Sequence, residues 1–215
     1  HEHLQSDNKL MLPIREFVDF LNLLKSGNVH NGLGKEVSQK RIDSILHDIL
    51  TPRPPYRAEL LDAYFKQIDG VSHINYNHQL VDGQLQPQNT EPLEDCLMQN
   101  KTPGIDLEAW LNNPTPHGLP PADIPNGDLY YWAPRNGSVA GFGASSDGAF
   151  LYCDGVPGYS SPALGVRVSQ IFSKDSTTLD SPQERLYSKN NITEALVDLG
   201  FPGLTNSLLN KLNDY

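Results

Sequence analysis

The sequence predicts an α+β chain that is helical at its start, made of small antiparallel strands through its middle, and helical again at its end. Three observations point there. Apolar residues recur at three- and four-residue spacing in three segments before residue 70. Asp82-Gly83 stands between apolar runs as a two-residue hairpin signal. Through residues 149–154 the side chains alternate, with Ala149, Leu151 and Cys153 on one face and Phe150, Tyr152 and Asp154 on the other. The expected organisation is a helical part over residues 1–70, either packed on the same domain or standing apart. A small-sheet module over 71–172 and a helical extension over 173–215 follow.

Each element has a local reason. His1 to Asn8 reads as a polar lead-in, and no charged stretch followed by an apolar one marks a signal peptide. Pro13 suits the first residue of a helix running to about Lys25 and stopping at Gly27, with Phe17, Phe20, Leu21 and Leu24 on one face. Ser38 is placed to cap a second helix carrying Ile42, Ile45, Leu46, Ile49 and Leu50, which Pro52 ends. A third helix is expected over residues 56–68, presenting Leu60, Leu61, Tyr64, Phe65 and Ile68, with Gly70 as its stop. Residues 71–85 then change to strand period around the hairpin signal. Short helices are expected over 92–99 and 107–112, the second capped by Asp106. Residues 113–127, with five prolines, read as loop, and 129–167 as short strands between Gly and Pro turns. A linker at about 173–181 and helices over 193–199 and 205–212 close the chain.

Composition excludes several function classes. No run approaches the 18 to 20 apolar residues that a membrane-spanning helix needs. With 16 basic against 26 acidic residues and a net charge of −10, a nucleic-acid partner is not expected. Two cysteines cannot build a disulfide scaffold or, alone, a structural zinc site. Cys96 and Cys153 either pair with each other or leave Cys153 as a plain buried thiol on a strand, the second being the simpler expectation. His73 and His78 fall on opposite faces of a strand, which disfavours a shared metal. No nucleophile elbow, phosphate loop or zinc-helix motif is present. Asp123, Asp147 and Asp154 could supply a carboxylate pair, but chance pairs are the default in so acidic a chain. Asn100, Asn136 and Asn191 head glycosylation sequons, meaningful only in an exported chain. No cofactor is expected.

Residues 136–167 contain no Lys, Gln, Glu, Met or Trp, although the rest of the chain holds nine, ten, nine, two and two of them. At that rate the window should hold about five or six, so its composition departs from ordinary usage. Those five types are the ones that an asparagine codon cannot reach when only its two adenines change. Around this window the run Leu129-Tyr-Tyr-Trp-Ala-Pro-Arg-Asn-Gly-Ser-Val-Ala-Gly-Phe-Gly-Ala is followed by Ala149-Phe-Leu-Tyr-Cys-Asp-Gly-Val-Pro-Gly-Tyr-Ser and by Leu164-Gly-Val-Arg. Together these segments resemble a diversity-generating retroelement variable protein. The upstream Gly104-Ile-Asp-Leu-Glu-Ala-Trp-Leu is similar to the helix preceding that region in the family.

The resemblance covers roughly residues 100–170 and implies a C-type-lectin-like fold. On that fold a variable patch binds a macromolecular ligand, with protein the expected class. It implies that Val139, Ala140, Phe142, Ala144, Ala149, Leu151, Cys153, Leu164, Gly165 and Val166 act as scaffold. The varying positions would be Gly143, Ser145, Asp147, Phe150, Tyr152, Asp154, Val156, Tyr159, Ser161 and Ala163. Tyr and Phe in such a patch offer large contact area for few lost rotamers, while Ser, Gly and Asp offer adaptable polar contacts. Two departures stand out: about 48 residues follow Arg167, and the calcium-lectin ligand motifs are missing. Calcium-dependent sugar binding therefore does not carry over. The alternatives are a cysteine- or metal-dependent enzyme of the formylglycine-generating type and a phage or virion structural protein.

Overall fold

A computed structural model describes residues 9–31, 34–159 and 161–170. The chain forms two compact units, His1–Ile171 and Phe172–Tyr215. The second unit, with the expected linker and C-terminal helices, lies outside the described residues.

Helix α1 (Ile14–Ser26) starts directly after Pro13 and ends at Gly27, whose φ of 72° closes the last turn through a hydrogen bond to the Leu24 carbonyl. It buries Ile14, Phe17, Val18, Leu21 and Leu24 as one stripe. Helix α2 (Gln39–Leu50) follows Ser38, whose hydroxyl makes no capping hydrogen bond despite the expected cap, and buries Ile42 and Ile49. Both helices lie where the apolar spacing places them.

The expected third helix is instead β2 (Arg57–Ile68), a twelve-residue strand at the heart of the sheet. Leu61, Ala63 and Phe65 are buried at every second position, which is a strand's period. Asp69 and Gly70 both have positive φ, so they form a tight hairpin turn into β3 (Val71–Val81) rather than a helix stop. Asp82 and Gly83 repeat that geometry into β4 (Gln84–Pro92), as their sequence signal predicts.

Residues 92–99 form no helix either. The Leu93 amide bonds the Ser72 carbonyl, and the Leu97 amide the Pro120 carbonyl. Asp95 adopts a left-handed φ, and its carbonyl accepts from Ala122. A helix would need those amides for its own ladder.

Strand β5 (Lys101–Ile105) leads into α3 (Leu107–Asn112), where the Asp106 carboxylate caps the Ala109 amide at 2.7 Å. Residues 113–127 are loop, as expected. Strands β6 (Leu129–Trp132), β7 (Ser138–Ser145), β8 (Gly148–Gly155) and β9 (Leu164–Val166) follow. Finally β10 (Val168–Gln170) pairs antiparallel with β1 (Lys9–Met11), a strand that the polar lead-in does not announce.

The main sheet runs β4-β3-β2-β7-β8-β6-β5, with β9 parallel to the start of β2. Strand outweighs helix, at 44% against 20%, so the fold is α+β with the sheet dominant. A boundary at residue 70 would cut this sheet between β2 and β3, so the N-terminal helices belong with the strands in one core. Phe17 of α1 and Trp110 of α3 both pack on Phe142 of β7, at 5.1 and 6.2 Å between ring centres. The Trp110 indole donates to the Gly118 carbonyl at 2.8 Å. Helices thus cover the sheet face that carries Leu61, Phe65, Phe142 and Leu151. The opposite face has no helix over it among the described residues.

Candidate binding face

Register decides which side chains share that second face. Gly143 stands opposite both Ala58 and Phe150, and Gly141 opposite both Leu60 and Tyr152. In turn Phe150 and Tyr152 pair with Tyr130 and Trp132 of β6. Directly opposed residues point the same way, so four aromatic side chains line up across β6 and β8. Their ring centres are separated by 6.0 Å (Tyr130–Trp132), 5.8 Å (Trp132–Phe150) and 5.9 Å (Phe150–Tyr152). Leu129, Tyr131 and Leu151, on the alternate positions, are buried.

The rings lie over a floor of glycines. A Cβ on Gly141 would stand 2.3 Å from the Tyr152 hydroxyl oxygen, and one on Gly143 would stand 2.9 Å from the Phe150 ring. Two missing side chains in β7 therefore let β8 lay its aromatics flat along the sheet. That coverage desolvates Tyr152. Burial is the leading cause that pushes its phenol up to about 12, and the Asp154 carboxylate nearby adds to it. At neutral pH it is a neutral hydroxyl that can donate and accept.

The ten positions singled out by the resemblance scatter over this side of the molecule rather than forming one cluster. Phe150 and Tyr152 are half-buried on the aromatic strip. Ser145 and Asp147 sit at the β7–β8 turn, Asp147 exposed. Asp154 lies within the bulge, where Cys153 and Asp154 of β8 stand against Ala140 alone of β7, and faces the Arg135 guanidinium at 3.6 Å. Val156 and Tyr159 are 72% and 66% exposed on the following loop. The Ser161 hydroxyl accepts the Ala163 amide, and Ala163 borders a groove along the start of β2. Gly143 is the exception. It is buried, with Ala58 at 2.7 Å from any added Cβ as well as the Phe150 ring above, so it serves as floor and not as a presented position. Of the expected scaffold positions, Ala140, Phe142, Ala144, Leu151 and Cys153 are buried, while Val166 is 42% exposed.

Two further groups belong here, and of their residues only His78 was weighed from the sequence, as a metal ligand. Tyr130 and Trp132 complete the strip, and the alternation of Leu129, Tyr130, Tyr131 and Trp132 was the signal for them. Beside Val139 the face continues into a cleft of about 710 Å³ bordered by Val156 and Tyr159. Its polar side is Asn75 with the Asp62–His78 pair, in which the Asp62 carboxylate accepts from both the His78 amide and ring. No local pattern announces that trio. His73, by contrast, turns its ring to the Val71 carbonyl, so the two histidines have separate partners.

Both cysteines are free and buried. Burial is the leading cause that raises each thiol, and for Cys153 the Asp154 and Cys96 charges add to it. Neither thiol should react with a disulfide reagent at pH 8 in the native protein, and two equivalents per chain should react on unfolding. A native burst would place one of them in an open cleft. Among the described residues no three His, Cys, Asp or Glu side chains come together as a metal site, and no helix is long and apolar enough to cross a membrane. Compared with protein-family models, curated proteins and solved structures, the chain finds no match.

Proposed function

We propose that this chain is a binding protein that displays a retroelement-diversified surface, residues 136–167, on a C-type-lectin-like scaffold, and that its ligand is a protein. One coincidence carries the reading. The window without Lys, Gln, Glu, Met and Trp is the stretch that supplies β7, β8, β9 and the loop between the last two. Of its three strand aromatics Phe142 packs under the helices, while Phe150 and Tyr152 stand on the sheet face that no helix covers among the described residues.

The physical chemistry supports the same reading. A half-buried aromatic strip is already fixed in place, so little rotamer entropy remains to be lost on association. Burying what is left of such rings against a partner yields the kind of centre that dominates binding energy. The strands beneath are anchored by Leu151 and Phe142 on the helix side, so positions above can change with little effect on the core. Gly141 and Gly143 set the limit of that freedom, because the rings need their floor. Against the cysteine-enzyme reading stand two thiols pushed up by burial, whereas a nucleophilic thiol is held low.

Sequencing the locus tests the proposal. The expected result is a reverse transcriptase gene beside this one, with a near-copy of the codons for residues 136–167 that differs at adenines. A locus with neither would overturn it.

A further inference from the structure

The cleft beside Val139 carries an inference of its own, one that does not rest on the diversified-surface reading, because its polar side lies in β2 and β3, outside residues 136–167. Its volume of about 710 Å³ falls in the range that small-molecule sites occupy, roughly 300–1,000 Å³. Ten large hydrophobic residues are exposed among the described residues, and four of them, Leu85, Val156, Tyr159 and Val166, border this one cleft. Exposed apolar groups gathered around a concavity mark a ligand site more often than scattered ones do.

The polar side selects the ligand further. Asp62 is 4% exposed and its carboxylate is engaged by the His78 amide and ring, so the charge there is already met. A cation is therefore not what the cleft asks for. Asn75 is also 4% exposed, borders the cleft, and leaves its amide oxygen with no hydrogen-bond partner. A buried acceptor without a donor is costly, and a ligand that brings an N–H or O–H relieves the cost. Tyr64 and Tyr159 add aromatic surface on either side. We propose that this cleft binds a small, neutral, ring-bearing organic molecule whose N–H or O–H is received by Asn75.

Indole and 1-methylindole test this directly, since they share a ring system and differ in the single donor. Each is titrated into the protein while amide chemical shifts are followed by NMR. Indole is expected to move the resonances of β2, β3 and the 156–159 loop saturably, with 1-methylindole bound about tenfold more weakly. Asn75→Leu should bring the two ligands to equal affinity. Val139→Trp, which fills the cleft, should abolish both, and Leu85→Arg at the exposed rim provides the same test should Val139→Trp fail to fold. Equal affinity of the two ligands for the unaltered protein would overturn the proposal. So would shifts confined to other surfaces, or no binding of either molecule.

Discussion

Replacing Gly104 by alanine is expected to cost about 3–5 kcal/mol of folding stability, at the top of the range for one added methyl. A Cβ there would stand 1.6 Å from the Leu129 carbonyl oxygen, 2.1 Å from its carbon and 2.7 Å from the Tyr130 nitrogen. All three are main-chain atoms of β6, so no rotamer change gives way. The close approach arises because the β5–β6 register slips between the Lys101–Tyr131 and Ile105–Leu129 pairs, bringing the strands together at Gly104. Admitting the methyl means moving β5 off the sheet edge. Ile105 and, through α3, Trp110 are both fully buried and would move with it. Gly137→Ala is the matched control. Its φ of 80° strains a side chain, but nothing lies within 4 Å of an added Cβ, so about 1 kcal/mol should be lost. Urea unfolding of both variants measures the contrast. If Gly104→Ala costs no more than Gly137→Ala, β5 does not lie against β6 as described.

Asp69-Gly70 shows why the sequence was legible in some elements and misleading in others. A glycine at positive φ ends a helix and also turns a hairpin, so the residue alone does not distinguish the two. Upstream, Leu60, Leu61, Tyr64, Phe65 and Ile68 satisfy a helical stripe, while Leu61, Ala63 and Phe65 satisfy a strand. The choice was made by partners: β2 is flanked by β3, β7 and β9 at once, and those pairings span up to 106 residues of chain. Helices α1 and α2 carried an unbroken apolar stripe between local boundary residues, Pro13 and Gly27 for the first and Ser38 and Pro52 for the second, and were legible for that reason. The same division holds for the site. Phe150 and Tyr152 were legible because alternation within one strand is local information. The burial of Gly143 was not, because it depends on Ala58 across the sheet. The cleft depended on Asp62, Asn75 and His78 meeting at the point where the β3–β4 hairpin parts from β2, with Asn77 at a positive φ there.

Stability should fall steeply above pH 10, by several kcal/mol between pH 8 and pH 12. Tyr76 and Tyr152 are each pushed up to about 12 and Tyr131 well above the ordinary value, burial being the leading cause in all three. In the unfolded chain these phenols lose their protons near 10. Between about 10 and 12 the folded state therefore holds protons that the unfolded state has released, and unfolding becomes easier as pH rises. Below 10 both states are protonated and the contribution is fully present. Raising a phenol from near 10 to about 12 corresponds to somewhat under 3 kcal/mol; solvent screening reduces this to about 2 kcal/mol for Tyr152 and to a small part of it for the more exposed Tyr76. Tyr131, buried with its hydroxyl donating to the Leu97 carbonyl at 2.8 Å, adds to the loss. Absorbance at 295 nm should accordingly rise in two stages, first from exposed tyrosines near pH 10, then cooperatively with loss of ellipticity at higher pH. Tyr152→Phe should remove one proton's worth of slope from stability against pH in that window, while leaving the slope below pH 9 unchanged. The acid limit has a related origin. The Tyr76 hydroxyl donates to Glu91 at 2.7 Å, and that bond, then the one from His117, lowers the carboxyl, so its contribution is lost as pH falls through the lowered value. Equal stability at pH 8 and pH 11.5 would mean that Tyr152 stands free in solvent, and the aromatic strip would lose its glycine floor as an explanation.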